Sequence, residues 1–229
     1  MATTTHRAHS AQNTSAKANS LLNYLIDHPG KDRSDLVPPF IPTTAKIPLE
    51  QRKVVLELPP FDTLPRILIP TSKSRLKPPV MHCGWVANES LLLEYAREHK
   101  IPILRRAKLK DTLDIDGEDE FDEEMNTVVP IDSVDPREDR MAYVFLLNDA
   151  LSRIVQELNI PWPLRLLSLT RPMAAGCPLI ISLFTNYHLA KAPRSTAIEA
   201  LRMKLHETEQ PKWFLDSSDW RWSYYGPRW

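Results

Sequence analysis

The order of apolar segments predicts an α+β fold. It should hold a small mixed sheet packed against three to four helices, with a proline-rich extended arm and an aromatic C-terminal tail. Three observations carry this expectation. Between residues 80 and 207, apolar patterns read in order as strand, helix, strand, long helix, paired strands and helix. Eleven of the 21 prolines fall between Pro29 and Pro79, where they force extended backbone and block a long helix. Four of the six tryptophans fall in the last seventeen residues, Trp213 to Trp229, and indole rings are rarely left in water without a reason.

Taken along the chain, residues 1–17 are Ala, Thr, Ser, His and Asn without periodicity, which predicts a disordered tail. Residues 18–79 form the next segment, a short helix followed by a wrapping arm. In the helix, Asn19 or Ser20 caps an apolar patch of Leu21, Leu22, Leu25 and Ile26, and Pro29-Gly30 stops it. In the arm, Val54-Val55-Leu56 and Ile67-Leu68-Ile69 lie between proline pairs, which predicts short edge strands at 53–57 and 66–69. A globular α+β core should fill residues 80–229, ending in the aromatic segment.

Within that core, Val80 to Val86 reads as a buried strand. Asn88 caps a helix from Glu89 to His99, with Leu92, Tyr95, Ala96 and His99 on one face. Ile101 to Leu104 reads as a short strand. Asp135-Pro136-Arg137-Glu138 is a capping box with proline at the first helical position. The helix it opens runs to about Asn159, with an inward stripe of Val144, Leu147, Leu151, Ile154 and Leu158, widened by Met141, Phe145 and Val155. Leu164–Thr170 and Leu179–Thr185 form an antiparallel pair joined by a long loop. A last helix covers 195–207, capped by Ser195 or Thr196 and facing inward with Ile198, Leu201 and Leu205.

Composition removes several function classes. Lys and Arg number 29 and Asp and Glu number 29, so no general field draws the chain to nucleic acid or anionic lipid. Nucleic acid is therefore not the expected partner. The longest apolar run, Met141 to Leu147, falls far short of the roughly twenty residues a bilayer helix needs, so no membrane span is expected. Two cysteines without framework spacing fit free thiols, and the start lacks a signal-peptide pattern, so a soluble chain of the cytoplasm or nucleus is expected. Only five glycines occur, and no phosphate-cradling G-x-x-x-x-G-K-[ST] or G-x-G-x-x-G motif is present. No cofactor is expected.

Two charged stretches and two histidine–cysteine arrangements bear on chemistry. Arg105, Arg106, Lys108 and Lys110 precede nine acids in residues 111–124, and adjacent opposite blocks read as a solvated loop. Aligned as a calcium loop about Gly117, the acids fail at the first ligand position, which is Thr112. No transition-metal spacing occurs, so no metal site is expected. A thiol nucleophile needs a base to ionise it. The catalytic candidates are accordingly Cys83 and His82, at the end of a strand before a helix, and His188, eleven residues after Cys177. Adjacent strand residues point to opposite faces, which separates His82 from Cys83.

The functional expectation is a non-catalytic interaction protein. It would bind a protein partner, or a second copy of itself, through its terminal segments. The partner-binding candidates are Trp220, Trp222, Tyr224, Tyr225 and Trp229 in the tail, and Leu22 and Leu25 in the first helix. Trp, Tyr and Arg are enriched at binding hot spots. The alternative is a small-molecule enzyme with a Cys/His-containing pocket around Cys83.

Overall fold

The computed structural model describes residues 25–27, 36–105, 127–129, 139–162 and 166–227. Two compact units emerge. The first takes the chain up to Ala87 and again from Glu157 onward; the second, Asn88–Gln156, is inserted between those halves. The expected tail at 1–17, the acidic run at 111–124 and the capping box at 135–138 lie outside the described residues.

The first unit is built on a four-stranded sheet of β1 (Met81–Val86), β4 (Ser168–Thr170), β5 (Ile180–Thr185) and β6 (Lys212–Leu215). The strand order is β4-β5-β1-β6, and each neighbouring pair is antiparallel. The expectation of a mixed sheet is corrected accordingly: all three pairings are antiparallel. Continuous apolar runs make β1 and β5 the buried inner strands. Their register shifts between Cys83 and Gly84, a β-bulge that sets Gly84 opposite Ser182. A Cβ at Gly84 would lie 1.9 Å from the Ile181 carbonyl oxygen, so only glycine lets the two backbones approach this closely.

Two expected strands in the proline zone are helical instead. Residues Leu49–Glu57 form helix α1, and Arg66–Leu68 form a turn of 3₁₀ helix. Paired valines favour a strand, but Leu49-Glu50-Gln51-Arg52-Lys53 are strong helix formers. Pro48, at φ −60°, stands in the N-cap position, and Leu58 before Pro59 is extended, so prolines delimit the helix without interrupting it. The outer edge of β6 is met by Phe61, whose N–H and carbonyl exchange bonds of 3.0 and 2.7 Å with Trp213.

Asn186 ties β1 to this zone. Its Nδ2 donates to the carbonyls of Leu68 (2.7 Å) and Pro79 (3.0 Å), and its Oδ1 accepts from the Met81 N–H (3.0 Å). Asn186 is buried, and all of these polar groups are satisfied by one side chain. The last helix, α4 (Ser195–Lys204), buries Ile198 and Leu201, and Leu205 just beyond it is buried too. Arg194 holds the N-cap position without a side-chain bond, so Ser195 is the first helical residue and not the cap.

The inserted unit carries α2 (Glu89–Glu98), the antiparallel pair β2 (Ile103–Arg105) and β3 (Thr127–Val129), and α3 (Arg140–Glu157). Asn88 caps α2 by accepting from the Leu91 N–H at 3.1 Å, and Leu92, Tyr95 and Ala96 are its buried face. His99 ends the helix with its ring stacked on Tyr95 at 3.9 Å. Asp139 accepts from the Ala142 N–H at 3.1 Å, capping the first turn of α3. The buried stripe of α3 is rotated from the expected one. Ala142, Tyr143, Leu146, Leu147, Ala150, Leu151, Ile154 and Val155 are buried, whereas Met141 and Phe145 are 67% and 59% exposed. Two of the buried positions are alanines, Ala142 and Ala150, a signal that the spacing of large apolar residues does not carry.

Candidate functional site

The densest polar chemistry in the first unit is a chain of three side chains drawn from three segments. His82 on β1 is buried. Its Nδ1 lies 2.8 Å from the Ser182 hydroxyl on β5, and its Nε2 lies 2.9 Å from Asp216 Oδ2, one residue past β6. The other oxygen, Oδ1, accepts from the backbone N–H groups of Ser218 and Asp219, each at 2.6 Å. Burial works to raise the Asp216 pKa. The bonds from His82 and from those two N–H groups outweigh burial and hold the carboxyl below the ordinary aspartate value. With Asp216 ionised, His82 Nε2 carries a proton and donates to it; in the neutral ring, Nδ1 then accepts from the Ser182 hydroxyl.

Serine, histidine and aspartate in this order resemble the hydrogen-bond sequence of an acyl-transfer triad, with the ring nitrogens exchanged. Ser182 is only 1% exposed, however, so no substrate carbonyl reaches its oxygen. What the arrangement does is mechanical: it pins β1, β5 and the turn after β6 to one another. The pin is reinforced by backbone bonds from the Asp216 N–H to the Val80 carbonyl (3.0 Å) and from the Val80 N–H to the Asp219 carbonyl (2.9 Å).

The structure separates Cys83 from this chemistry, whereas His188 lies within electrostatic reach of His82. Cys83 faces away from His82, paired in register with Phe184 and Trp213, and burial pushes its thiol well above the ordinary range. His188 lies in the 3₁₀ turn Asn186–Lys191, with Nδ1 2.9 Å from the Thr185 hydroxyl. Burial, then Lys191 and His82, lowers its pKa. A shallow apolar depression beside β6, walled by Phe40, Val55, Phe61, Met81 and Trp213, holds about 20 Å³. That is room for roughly one water. Its lining includes none of His82, Cys83, Ser182 and His188.

The aromatic segment divides into anchors and a tip. Trp213 is buried in β6, and its indole N–H donates to the Leu25 carbonyl at 2.8 Å. Leu25 is itself buried, its carbonyl also accepting from the Leu64 N–H at 2.7 Å. Trp220 and Trp222 are buried, and the Trp222 N–H donates to the Pro39 carbonyl at 2.7 Å. Ser223 pairs with Lys77 through two backbone bonds of 2.8 and 3.1 Å. Beyond it, Tyr224 and Tyr225 are 52% and 93% exposed. Leu22 and Trp229 lie outside the described residues.

Three guanidinium groups stack on this segment. Arg221 and Arg52 lie 4.4 and 5.7 Å from the Trp220 ring centre, and Arg75 lies 5.4 Å from that of Tyr224. Ser182, Asp216, Arg52 and Arg75 belong to no motif or spacing that marks a site in the sequence. The one local signal for them is Asp216-Ser217-Ser218-Asp219, a stretch suited to a side-chain-capped turn. Among the described residues, no three His, Cys, Asp or Glu side chains are grouped to hold a metal ion, and no helix is long and apolar enough to cross a membrane. No protein-family model, curated protein or solved structure matches this chain.

Proposed function

We propose that this chain is a non-catalytic protein-binding module whose docking surface is the tip of its C-terminal aromatic segment. The observation that carries this reading is the contrast within that segment. Tyr224 and Tyr225 are exposed, while Trp220, Trp222 and the Ser223–Lys77 pairing hold the backbone beneath them. Aromatic side chains presented on a fixed support bind with little loss of conformational freedom, which is how hot-spot residues gain affinity. Trp220, Trp222 and Leu25 act in this reading as anchors, and Tyr224 and Tyr225 as contact residues. The partner is a protein, either a different chain or a second copy of this one. The enzyme alternative, built on Cys83, His82 and His188, gains no support from a buried thiol facing away from the imidazole.

The test is site-specific photo-crosslinking in the cells that make the protein. A photoreactive phenylalanine analogue replaces Tyr225 in one variant and Met203, 68% exposed on α4, in a control. A discrete protein adduct from position 225, absent from position 203 and lost on Tyr224→Ala, supports the reading. Its mass separates a self-adduct from a foreign partner. Equal adducts at both positions, or none at 225, refute it.

A further inference from the structure

We infer that the aromatic segment recognises an acidic peptide, through the stacked guanidinium groups of Arg52, Arg75 and Arg221. This rests on the docking role proposed above and names the chemistry of the partner.

All three arginines are exposed, and all three lie on rings of the same segment. Among the described residues, the carboxylate pairs use His82, Arg202, Lys204 and Lys212. None uses Arg52, Arg75 or Arg221. Among the described residues, these three guanidinium groups therefore lie on two rings of one segment with no carboxylate paired to them. Charge complementarity points to an anionic ligand. Stacking holds the planar forks in place while leaving their N–H edges free, which is the geometry that accepts a carboxylate by two parallel bonds.

The spacing selects among anions. Trp220 and Tyr224 are four residues apart, at most about 14 Å along extended backbone. That matches a short peptide carrying a few carboxylates. Single-stranded nucleic acid asks for a longer cationic track with bare rings for base stacking. Here Trp220 is buried with arginines on its ring and offers no bare face for a base, and the Lys77 ammonium is already bound to the Thr71 and Ser74 carbonyls at 2.8 and 3.0 Å. The exposed rings of Tyr224 and Tyr225 supply apolar area for side chains between the acids.

The proposal is tested by fluorescence anisotropy with the full chain and a short fluorescein-labelled peptide of alternating glutamate and leucine. The expected result is saturable binding that weakens with salt and drops about tenfold or more when glutamine replaces glutamate. Arg75→Gln and Arg221→Gln should each weaken it by about tenfold, and Arg75→Lys by less, since lysine keeps the charge but not the fork. An unchanged far-UV circular dichroism spectrum and melting temperature in each variant exclude misfolding. Binding of the glutamine peptide as tight as that of the glutamate peptide overturns the proposal. So does tighter binding of a short oligothymidylate, or no binding of the glutamate peptide up to about millimolar. If the Tyr225 crosslink persists in Arg75→Gln and Arg221→Gln, the docking reading stands and anion recognition falls.

Discussion

Removing the Asp216 carboxylate tests the claim that the buried relay is a structural pin. The group accepts three bonds, one from His82 Nε2 at 2.9 Å and two from backbone N–H groups at 2.6 Å. A bond to a charged acceptor contributes about 1.5–3 kcal/mol. The three share one group and are not additive, and the carboxylate keeps some contact with water. Asp216→Ala should therefore cost about 3 kcal/mol, or about 6–12 °C in melting temperature for a chain of this size. Asp216→Asn keeps Oδ1 for the turn, and its amide can donate to His82 once the ring changes tautomer, so its cost should be about 1 kcal/mol. All six tryptophans lie outside Asn88–Gln156, so tryptophan fluorescence follows the sheet-bearing unit alone. The folded carboxyl binds its proton less readily than the unfolded one. Its contribution is thus complete above the ordinary aspartate value of about 3.9 and is lost as pH falls through the lower folded value. Asp216→Asn should lose that acid step. An Asp216→Ala melt within about a degree of the parent, or an Asn variant as damaged as the Ala variant, would refute the pin.

Three further outcomes are expected. Gly84→Ala drives a methyl into the Ile181 carbonyl and should cost at least about 3 kcal/mol, read as a lower urea midpoint; an unchanged midpoint contradicts the close approach of β1 and β5. Asn186→Ala strands one N–H and two carbonyls and should cost about 3 kcal/mol or more. Asn186→Asp should not rescue it, because a carboxylate would face the Leu68 and Pro79 carbonyls; rescue in a thermal melt would count against the assigned bonds. A disulfide thiol reagent should modify half-buried Cys177 in the native protein and Cys83 only after urea is added. Similar native rates for both would contradict the enclosure of Cys83.

What the sequence determined by itself is local. β1, β5, the Asn88 cap with Leu92, Tyr95 and Ala96, and the α4 face of Ile198, Leu201 and Leu205 each depend on residues within a turn or two of one another. Periodicity and capping chemistry act over that range. The expected antiparallel pairing of β4 with β5 is local too, whereas the pairing of β1 with β5 and β6, the His82–Ser182–Asp216 relay and the arginines on Trp220 and Tyr224 join residues far apart in the chain. Ser182 lies 100 positions from His82, and Asp216 lies 134. No local pattern encodes such distances, because partners across a sheet are chosen by packing and register after the strands exist. The helix at Leu49–Glu57 shows the other limit. Two valines between prolines favour a strand by propensity, yet the tertiary structure buries Val55 and leaves Val54 on the surface. The intrinsic preferences differ by less than about 1 kcal/mol per residue, so burial and the flanking prolines decided the outcome.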